Sequence, residues 1–319
     1  MTSTMRQRNT GSQINTTVSN DANGTKKLYF YHEIDPWQQD NHFIRSGYVK
    51  ETGSFKECFK SLFYLHNESV NIYTHLLPSS LILVYVLYYV NFKLTIYDNY
   101  LGIWEKLNFI QFGAAATFCM FMSSTFHCIK SHSPMVCKWG NQLDYFGIVI
   151  LITCSLISII SFAFYDMPYW KDTFVLLFLG LGSIVTVLTL HPKFSSNVYR
   201  PLRSAMFIIF GLSGIFPIIV AVDLLGYENA VERSSAGFLA LEGFLYILGA
   251  VLYAMRVPER FTHLETDETS LLNNSRSAKF DIFGHSHQIF HVMVVLAAYC
   301  HWVALINCYD YLHQKILPS

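Results

Sequence analysis

The sequence predicts an all-α integral membrane protein, a bundle of seven transmembrane helices with a cytosolic N-terminus and an extracytosolic C-terminus. Three observations lead to this prediction. Hydrophobic residues make up 52% of the chain and charged residues only 14%, whereas soluble domains carry about a quarter charged residues. Seven apolar runs are each close to the roughly 20 residues that a helix needs to cross the bilayer core. Lysine and arginine are divided unequally between the two sets of connecting loops.

The chain begins with a polar segment, 1–27, that is rich in Ser, Thr, Asn and Gly. It has no hydrophobic period and is predicted to be a disordered cytosolic tail, without the apolar core of a cleaved signal peptide. Residues 28–66 mix aromatic and charged side chains, which predicts a juxtamembrane amphipathic segment on the bilayer surface. The seven-helix domain is expected over 67–313, and a short C-terminal tail over 314–319.

The seven transmembrane helices are expected where the apolar runs lie. The fourth run is short but contains no charged residue from Thr173 to Leu190. The polar segment 258–279, between the last two runs, is expected to be a mobile loop. The expected helix bounds are 71–92, 107–128, 143–165, 172–190, 204–225, 236–255 and 289–311.

The loops indicate the orientation in the membrane. The N-terminal region and the loops after the second, fourth and sixth helices hold 17 of the 22 lysines and arginines. Because cytosolic loops carry the excess of these residues, this side is predicted to face the cytosol. The same orientation places the sequons at Asn15, Asn23, Asn67 and Asn273 in the cytosol, where they would remain unglycosylated.

Charge and cysteine usage exclude other classes of function. The formal net charge is zero, which argues against a nucleic-acid partner. The seven cysteines are scattered in or beside the apolar runs, without a CxxC pair. This pattern is typical of packing residues and not of a disulfide framework or a thiolate zinc site.

Three histidines fall at the same depth in the predicted bundle. His287 and His291 begin the last helix and lie one turn apart on one face, because residues four apart are helical neighbours. His127 ends the second helix on the same side, with Ser123 one turn earlier, and Asp144 begins the third. Ionisable residues in membrane helices usually face the bundle interior or a cavity. Since three imidazoles and a water form a common catalytic zinc site, these residues predict bound Zn²⁺.

The spacing leaves the roles of the neighbouring residues open. Asp144 can act as a general base, orient a water or hydrogen-bond a ligand histidine, and Ser123 can hold Asp144 or a substrate oxygen. Structural interpretations also exist. Histidines in membranes often hydrogen-bond between helices, Asp144 can be favoured by a helix dipole, and Glu68 and Asn71 can cap the first helix.

Three further histidines receive other interpretations. His301 lies about 15 Å along the helix from His291 and is not expected to share its site. His285 is expected to be a solvated loop residue. His75, like Asp144, is a candidate fourth ligand if zinc only holds the helices together, because structural zinc sites usually have four protein ligands.

Several motifs occur in order between Tyr29 and His313. They are WQQDN at 37–41, FI at 43–44, GY at 47–48, HNESVNIYTHL at 66–76, SSTFH at 123–127, LDY at 143–145 and GHSHQIFH at 284–291. With these motifs the chain resembles the progestin and adipoQ receptor family, which is related to hemolysin III type proteins, and within it the fungal branch associated with zinc homeostasis, lipid metabolism and osmotin-type ligands. Compared with that family, the segment 258–279 is longer than usual.

The resemblance implies zinc held by His127, His287 and His291, with Asp144 and Ser123 beside it. It also implies a receptor or regulator in zinc homeostasis and lipid metabolism, in contact with membrane lipids and with an extracellular protein ligand. The wider superfamily includes alkaline ceramidases, so hydrolysis of a ceramide-like lipid by a zinc-activated water is the alternative function. The expected location is the plasma membrane or the endoplasmic reticulum. The sequence does not decide whether the chain forms a homo-oligomer.

Overall fold

A computed structural model describes residues 27–94, 102–191, 199–263 and 277–317. The tail 1–26, most of the loop 258–279, the last two residues and three of the four sequons (Asn15, Asn23 and Asn273) lie outside the described residues. Within the described ranges the chain is helical, and a single isolated antiparallel bridge joins Tyr29 to Tyr48. The all-α fold class is therefore confirmed.

The seven expected helices are all present, and the fifth is divided in two. A short helix, α1, precedes them on the N-terminal side, and another, α8, lies between the fifth and sixth. The helices are α1 (Phe55–Lys60), α2 (Ser69–Phe92), α3 (Ile103–Ile129), α4 (Pro134–Ala163), α5 (Pro168–Leu190), α6 (Arg200–Leu212), α7 (Ile215–Leu225), α8 (Tyr227–Arg233), α9 (Ala236–Met255) and α10 (Ser286–Tyr311).

The largest differences from the expected helix bounds are at the start of α4 and inside the fifth span. Helix α4 begins nine residues before the expected position 143, because Ser133 accepts a hydrogen bond from Val136 N and Pro134 occupies the first helical position. Serine at the cap and proline in the first turn are strong helix-start signals, and they outweigh the polarity of the turns that follow. The fifth span breaks at Ser213 and Gly214, where the Ser213 hydroxyl donates to the carbonyl of Phe210.

The bundle is organised around α3 and α10. Helix α3 packs between α2 and α4, and α10 packs against α9 and also contacts α2 and α4. At one end, Phe109 lies 5.4 Å from Trp302 and 5.5 Å from Tyr309 between ring centroids, which forms an aromatic core. Large apolar side chains cover the outer faces of the spans, as lipid contact requires. They include Leu81, Val84, Leu176, Val187, Ile219 and Phe244. The chain is an integral membrane protein.

Two buried polar contacts of His301 join three of the spans. His301 Nε2 lies 3.0 Å from the Ser158 hydroxyl, and His301 Nδ1 lies 2.9 Å from a carboxylate oxygen of Glu242. His301 is therefore engaged away from His291, as the helical rise predicts. These contacts tie α4 and α9 to α10 where a polar group without a partner would be costly.

Helices α3 and α4 approach closely at Gly147, and this contact supports a prediction. A Cβ at Gly147 would lie 2.9 Å from Cys119 Cα, a backbone atom that cannot move aside. We expect Gly147→Ala to destabilise the bundle by about 1–3 kcal/mol, measured as a lower midpoint of thermal unfolding in detergent. The control is Gly180→Ala on α5, where a Cβ would have no neighbour within 4 Å. Its expected effect is neutral or stabilising by up to about 1 kcal/mol, and equal midpoints for the two variants would contradict the prediction.

Candidate metal centre

One end of the bundle, here called the histidine end, brings together His127 from α3 and His287 and His291 from α10. Each offers one ring nitrogen, and these three atoms all lie within 4.8 Å of one another. Helix α3 runs into this end and α10 begins there, so the ligands come from opposite helix termini. The structure thus brings together the three side chains that the sequence places at one depth, and their binding of zinc stays a prediction.

The ring nitrogens that converge are the Nε2 atoms. His287 Nε2 lies 3.1 Å from His127 Nε2 and 3.1 Å from His291 Nε2. Zinc binds imidazole at about 2.0–2.1 Å, so two nitrogens on a tetrahedral zinc are about 3.3–3.4 Å apart. These two separations are therefore within about 0.3 Å of those in a three-histidine zinc site, and the third pair of ligand atoms lies within 4.8 Å.

In the rings of His127 and His291, the hydrogen bond made by Nδ1 determines which of the two ring nitrogens carries the proton. His127 Nδ1 lies 2.8 Å from Glu68 Oε2, and His291 Nδ1 lies 3.0 Å from the carbonyl oxygen of Asn71. Both oxygens are acceptors, so both Nδ1 atoms donate and both Nε2 atoms present lone pairs. His287 Nε2 can donate only one hydrogen to these two lone pairs. A cation coordinated by all three nitrogens removes this mismatch, and the donor set fits Zn²⁺.

Glu68 is the orienting group that the sequence interpretation missed. It occupies the cap position of α2 but makes no side-chain cap hydrogen bond. Its carboxylate instead accepts from His127, from Lys130 Nζ at 2.6 Å and from Asn71 Nδ2 at 2.6 Å. Burial alone would raise the pKa of Glu68, but Lys130 and His127 hold that pKa well below its usual range. The side-chain capping role considered for Glu68 is therefore wrong, and this carboxylate orients a candidate metal ligand.

Changing Glu68 should weaken metal binding without removing a ligand. In Glu68→Gln the charge that orients His127 is lost and Lys130 faces an amide. We expect the zinc dissociation constant to rise about 10–100-fold, as for other groups that orient metal ligands, measured by competition with a chelator of known affinity. Glu57→Gln is the control, because Glu57 is exposed and its one ion pair among the described residues is with Lys60 on α1. An unchanged dissociation constant in Glu68→Gln would show that His127 needs no orienting carboxylate.

Asp144 and Ser123 lie beside the triad. Asp144 lines a cavity of about 180 Å³ together with His127 and His287, and the Ser123 side chain hydrogen-bonds the Asp144 carboxyl group. Asp144 is ten residues from the start of α4, so the explanation by a helix dipole does not hold. The group of potential ligand atoms within the described residues contains the three histidines and not Asp144.

Two other histidines at this end differ from expectation. His285 is buried, not solvated, and its Nε2 lies 3.2 Å from the carbonyl oxygen of Asn67. Burial lowers its pKa. His75 lies behind the triad, with its ring stacked on that of His291 at 3.9 Å and its Nε2 3.3 Å from the carbonyl oxygen of His291. His75 therefore supports a ligand histidine and is not placed as a fourth ligand.

Comparison with known proteins agrees with this fold. The family model described as haemolysin-III related matches residues 63–302. The chain is 41% identical to the ADIPOR-like receptor IZH2 of Saccharomyces cerevisiae, over 91% of this chain and 87% of that protein. It is 37% identical to the adiponectin receptor protein of Drosophila melanogaster, over 86% of this chain and 58% of that protein. It is 29% identical to heptahelical transmembrane protein 1 of Arabidopsis thaliana, over 90% of this chain and 82% of that protein. The chain therefore belongs to the haemolysin-III-related family and, within it, to the fungal branch of the progestin and adipoQ receptors.

Proposed function

We propose that this receptor-like membrane protein binds zinc and acts as a receptor or regulator in zinc homeostasis and in sphingolipid or sterol metabolism. One observation carries the proposal: three Nε2 atoms meet at the histidine end, and two of them are held as lone-pair donors by Glu68 and Asn71. The names of its relatives describe receptors of the adiponectin type. We also propose that the histidine end faces the cytosol, where the metal centre would sample cytosolic zinc.

A genetic experiment tests the regulatory function. Cells lacking the protein are expected to change in zinc tolerance and in sphingolipid levels, and re-expression of the wild-type chain should restore both. Re-expression of His287→Ala, at a matched protein level, should restore neither, because one of the three nitrogens is lost. If zinc tolerance and sphingolipid levels are the same with and without the protein, the regulatory proposal is wrong.

A zinc-dependent lipid-amide hydrolase is the second candidate function. Its support is the position of Asp144, which lines the same cavity as His127 and His287 and is hydrogen-bonded by Ser123. Zinc held by the triad would supply a Lewis acid and a coordinated water with a pKa near 7. Asp144 can accept the proton of the attacking water and deliver it to the amide nitrogen as the carbon–nitrogen bond breaks. The products would be a fatty acid and a sphingoid base.

Purified protein tests the hydrolase. The zinc-loaded chain in detergent or in lipid nanodiscs is given a ceramide, and release of the free fatty acid is followed beside an active ceramidase as control. Turnover that requires zinc would support the enzyme. Absence of turnover on ceramides of several chain lengths would count against the hydrolase and would not affect the proposed regulatory function. The two functions are compatible, because a receptor can signal through its lipid product.

A further inference from the structure

An N-terminal segment, residues 29–50, which we call the strap, lines part of the cavity at the metal centre. The bundle contributes His127, His287 and Asp144 to the same cavity. The lining residues of the strap include Trp37, Gln38, Asp40, Asn41, Tyr48 and Val49. A solute that reaches the triad through this cavity therefore meets side chains of the strap.

Polar side chains from the chain after α9 hold the middle of the strap. Arg256 donates from Nη2 to the carbonyl oxygen of Asp40 at 2.8 Å and from Nη1 to Asn41 Oδ1 at 3.2 Å. The Asn41 amide in turn donates to Glu259 Oε1 at 3.2 Å. Glu259 is fully buried, so its carboxylate depends on such donors in place of water.

A second buried carboxylate holds the returning part of the strap. Asp281 accepts from the backbone N–H of Arg45 at 2.7 Å and from the hydroxyl of Ser46 at 2.6 Å. Only 1% of Asp281 is exposed. These contacts are hydrogen bonds that water can replace once the strap lifts, so closure at this position is reversible.

The strap has its own small apolar cluster and does not enter the main core. Ile34, Ile44 and Tyr48 pack together, separately from the core of the spans. A backbone hydrogen bond from Asn67 N to the carbonyl of Gly47 at 2.9 Å also joins the strap to the bundle, and the chain just after the strap is joined by one from Thr52 N to the carbonyl of Ser131 at 2.9 Å. The apolar cluster of the strap is therefore separate from the core that holds the spans together.

Glu259 connects the strap to the helix that carries two candidate ligands. Besides Asn41, its carboxylate accepts from the backbone N–H of Ser286 at 2.7 Å and from the Ser286 hydroxyl. Ser286 begins α10 and immediately precedes His287. The group that holds the closed strap thus also fixes the first turn of the ligand helix.

We propose that the strap is a gate that controls exchange of metal at the histidine triad, with Glu259, Asp281 and Arg256 as its latch. The proposal rests on the proposed zinc function, since zinc is the species whose exchange is gated. The closed strap separates the triad from the solvent and retains the ion. Opening the latch gives zinc a route in and out without unfolding the bundle.

The test is the rate at which excess chelator removes zinc from the purified full-length chain. The double variant Asn41→Ala with Ser46→Ala removes three latch hydrogen bonds but touches neither the triad nor α10. Loss of one net hydrogen bond shifts the equilibrium between closed and open strap by a factor of a few to about tenfold. We therefore expect the rate of zinc release to rise about tenfold or more, with the zinc content unchanged. Glu51→Ala is the control, because within the described ranges the Glu51 side chain accepts a single hydrogen bond, an exposed one from Trp37. Ser46→Ala alone serves if the double variant folds poorly.

Amide exchange at Arg45 reports strap opening independently of the metal. Faster exchange at Arg45 with zinc release unchanged would overturn the gate. If the wild-type chain holds no zinc, the proposed zinc function fails, and the gate is then judged on the zinc-free protein by labelling of Cys137, which lines the cavity. Faster labelling of Cys137 in the latch variants would support the gate, and equal rates would reject it.

Discussion

Purified wild-type chain is expected to carry about one zinc ion, and the His127→Ala and His291→Ala variants almost none. Removing a group that only orients a ligand costs about 10–100-fold in metal affinity, and removing one of three protein ligands should cost more. The two residues lie on different helices, α3 and α10, and their Nε2 atoms both face His287. Loss of zinc in both variants would show that distant segments share one ion. The measurement is metal content per chain by mass spectrometry.

The matched control for this prediction is His132→Ala. His132 lies near the same end of the bundle, where its Nδ1 contacts the Ser133 hydroxyl at 3.0 Å and its ring packs on Phe55. This variant should keep its zinc. Chelation should lower the unfolding temperature of wild type and of His132→Ala but not of the two ligand variants, because an ion that binds only the folded state stabilises it. If well-folded wild-type protein contains no zinc, the histidines only form hydrogen bonds between helices, and both proposed zinc-dependent functions are wrong.

The sequence predicts the fold well because its signals are local. A bilayer demands about 20 apolar residues per helix, and each of the seven runs supplies them, so every span was predictable. The helix break at Ser213 and Gly214 was not predictable, because hydrophobicity continues through it. The early start of α4 was signalled by Ser133 and Pro134, but the polar turns that follow obscured the signal.

The candidate site was predictable in part, for a related reason. His287 and His291 share a helix face by their spacing alone, and orientation places His127 at the same depth. The contact between Glu68 and His127 joins residues 59 positions apart, and no local pattern reports which way a side chain at a helix start will turn. The same holds for Glu259 and Asp281, whose partners on the strap lie more than 200 positions away. Sequence identified the candidate ligands, whereas tertiary packing was needed to find what orients and covers them.

Asp144→Asn is expected to keep the fold and the zinc while lowering lipid-amide hydrolysis about 10²–10⁴-fold, the usual contribution of a general base. The asparagine side chain has nearly the same shape and can still bond Ser123, but it cannot accept a proton from the attacking water. The measurement pairs the rate of fatty-acid release with metal content in the same preparation. Ser123→Ala is the companion variant, with a smaller expected loss, because Ser123 is not among the residues that line the cavity and would act through Asp144.

The result for Asp144→Asn separates the three roles that zinc can have in this bundle. Zinc retained with hydrolysis lost assigns Asp144 to proton transfer and excludes a purely structural ion. Zinc lost together with stability would make Asp144 a fourth ligand, as structural zinc sites usually require. Zinc and hydrolysis both retained would remove Asp144 from the chemistry. If the wild-type protein shows no hydrolysis, Asp144→Asn is tested in cells that lack the protein, by measuring whether the variant restores zinc tolerance. A variant that has a normal protein level and zinc content but does not restore zinc tolerance would place Asp144 in the regulatory function, because Asp144 lines the same cavity as two of the candidate zinc ligands.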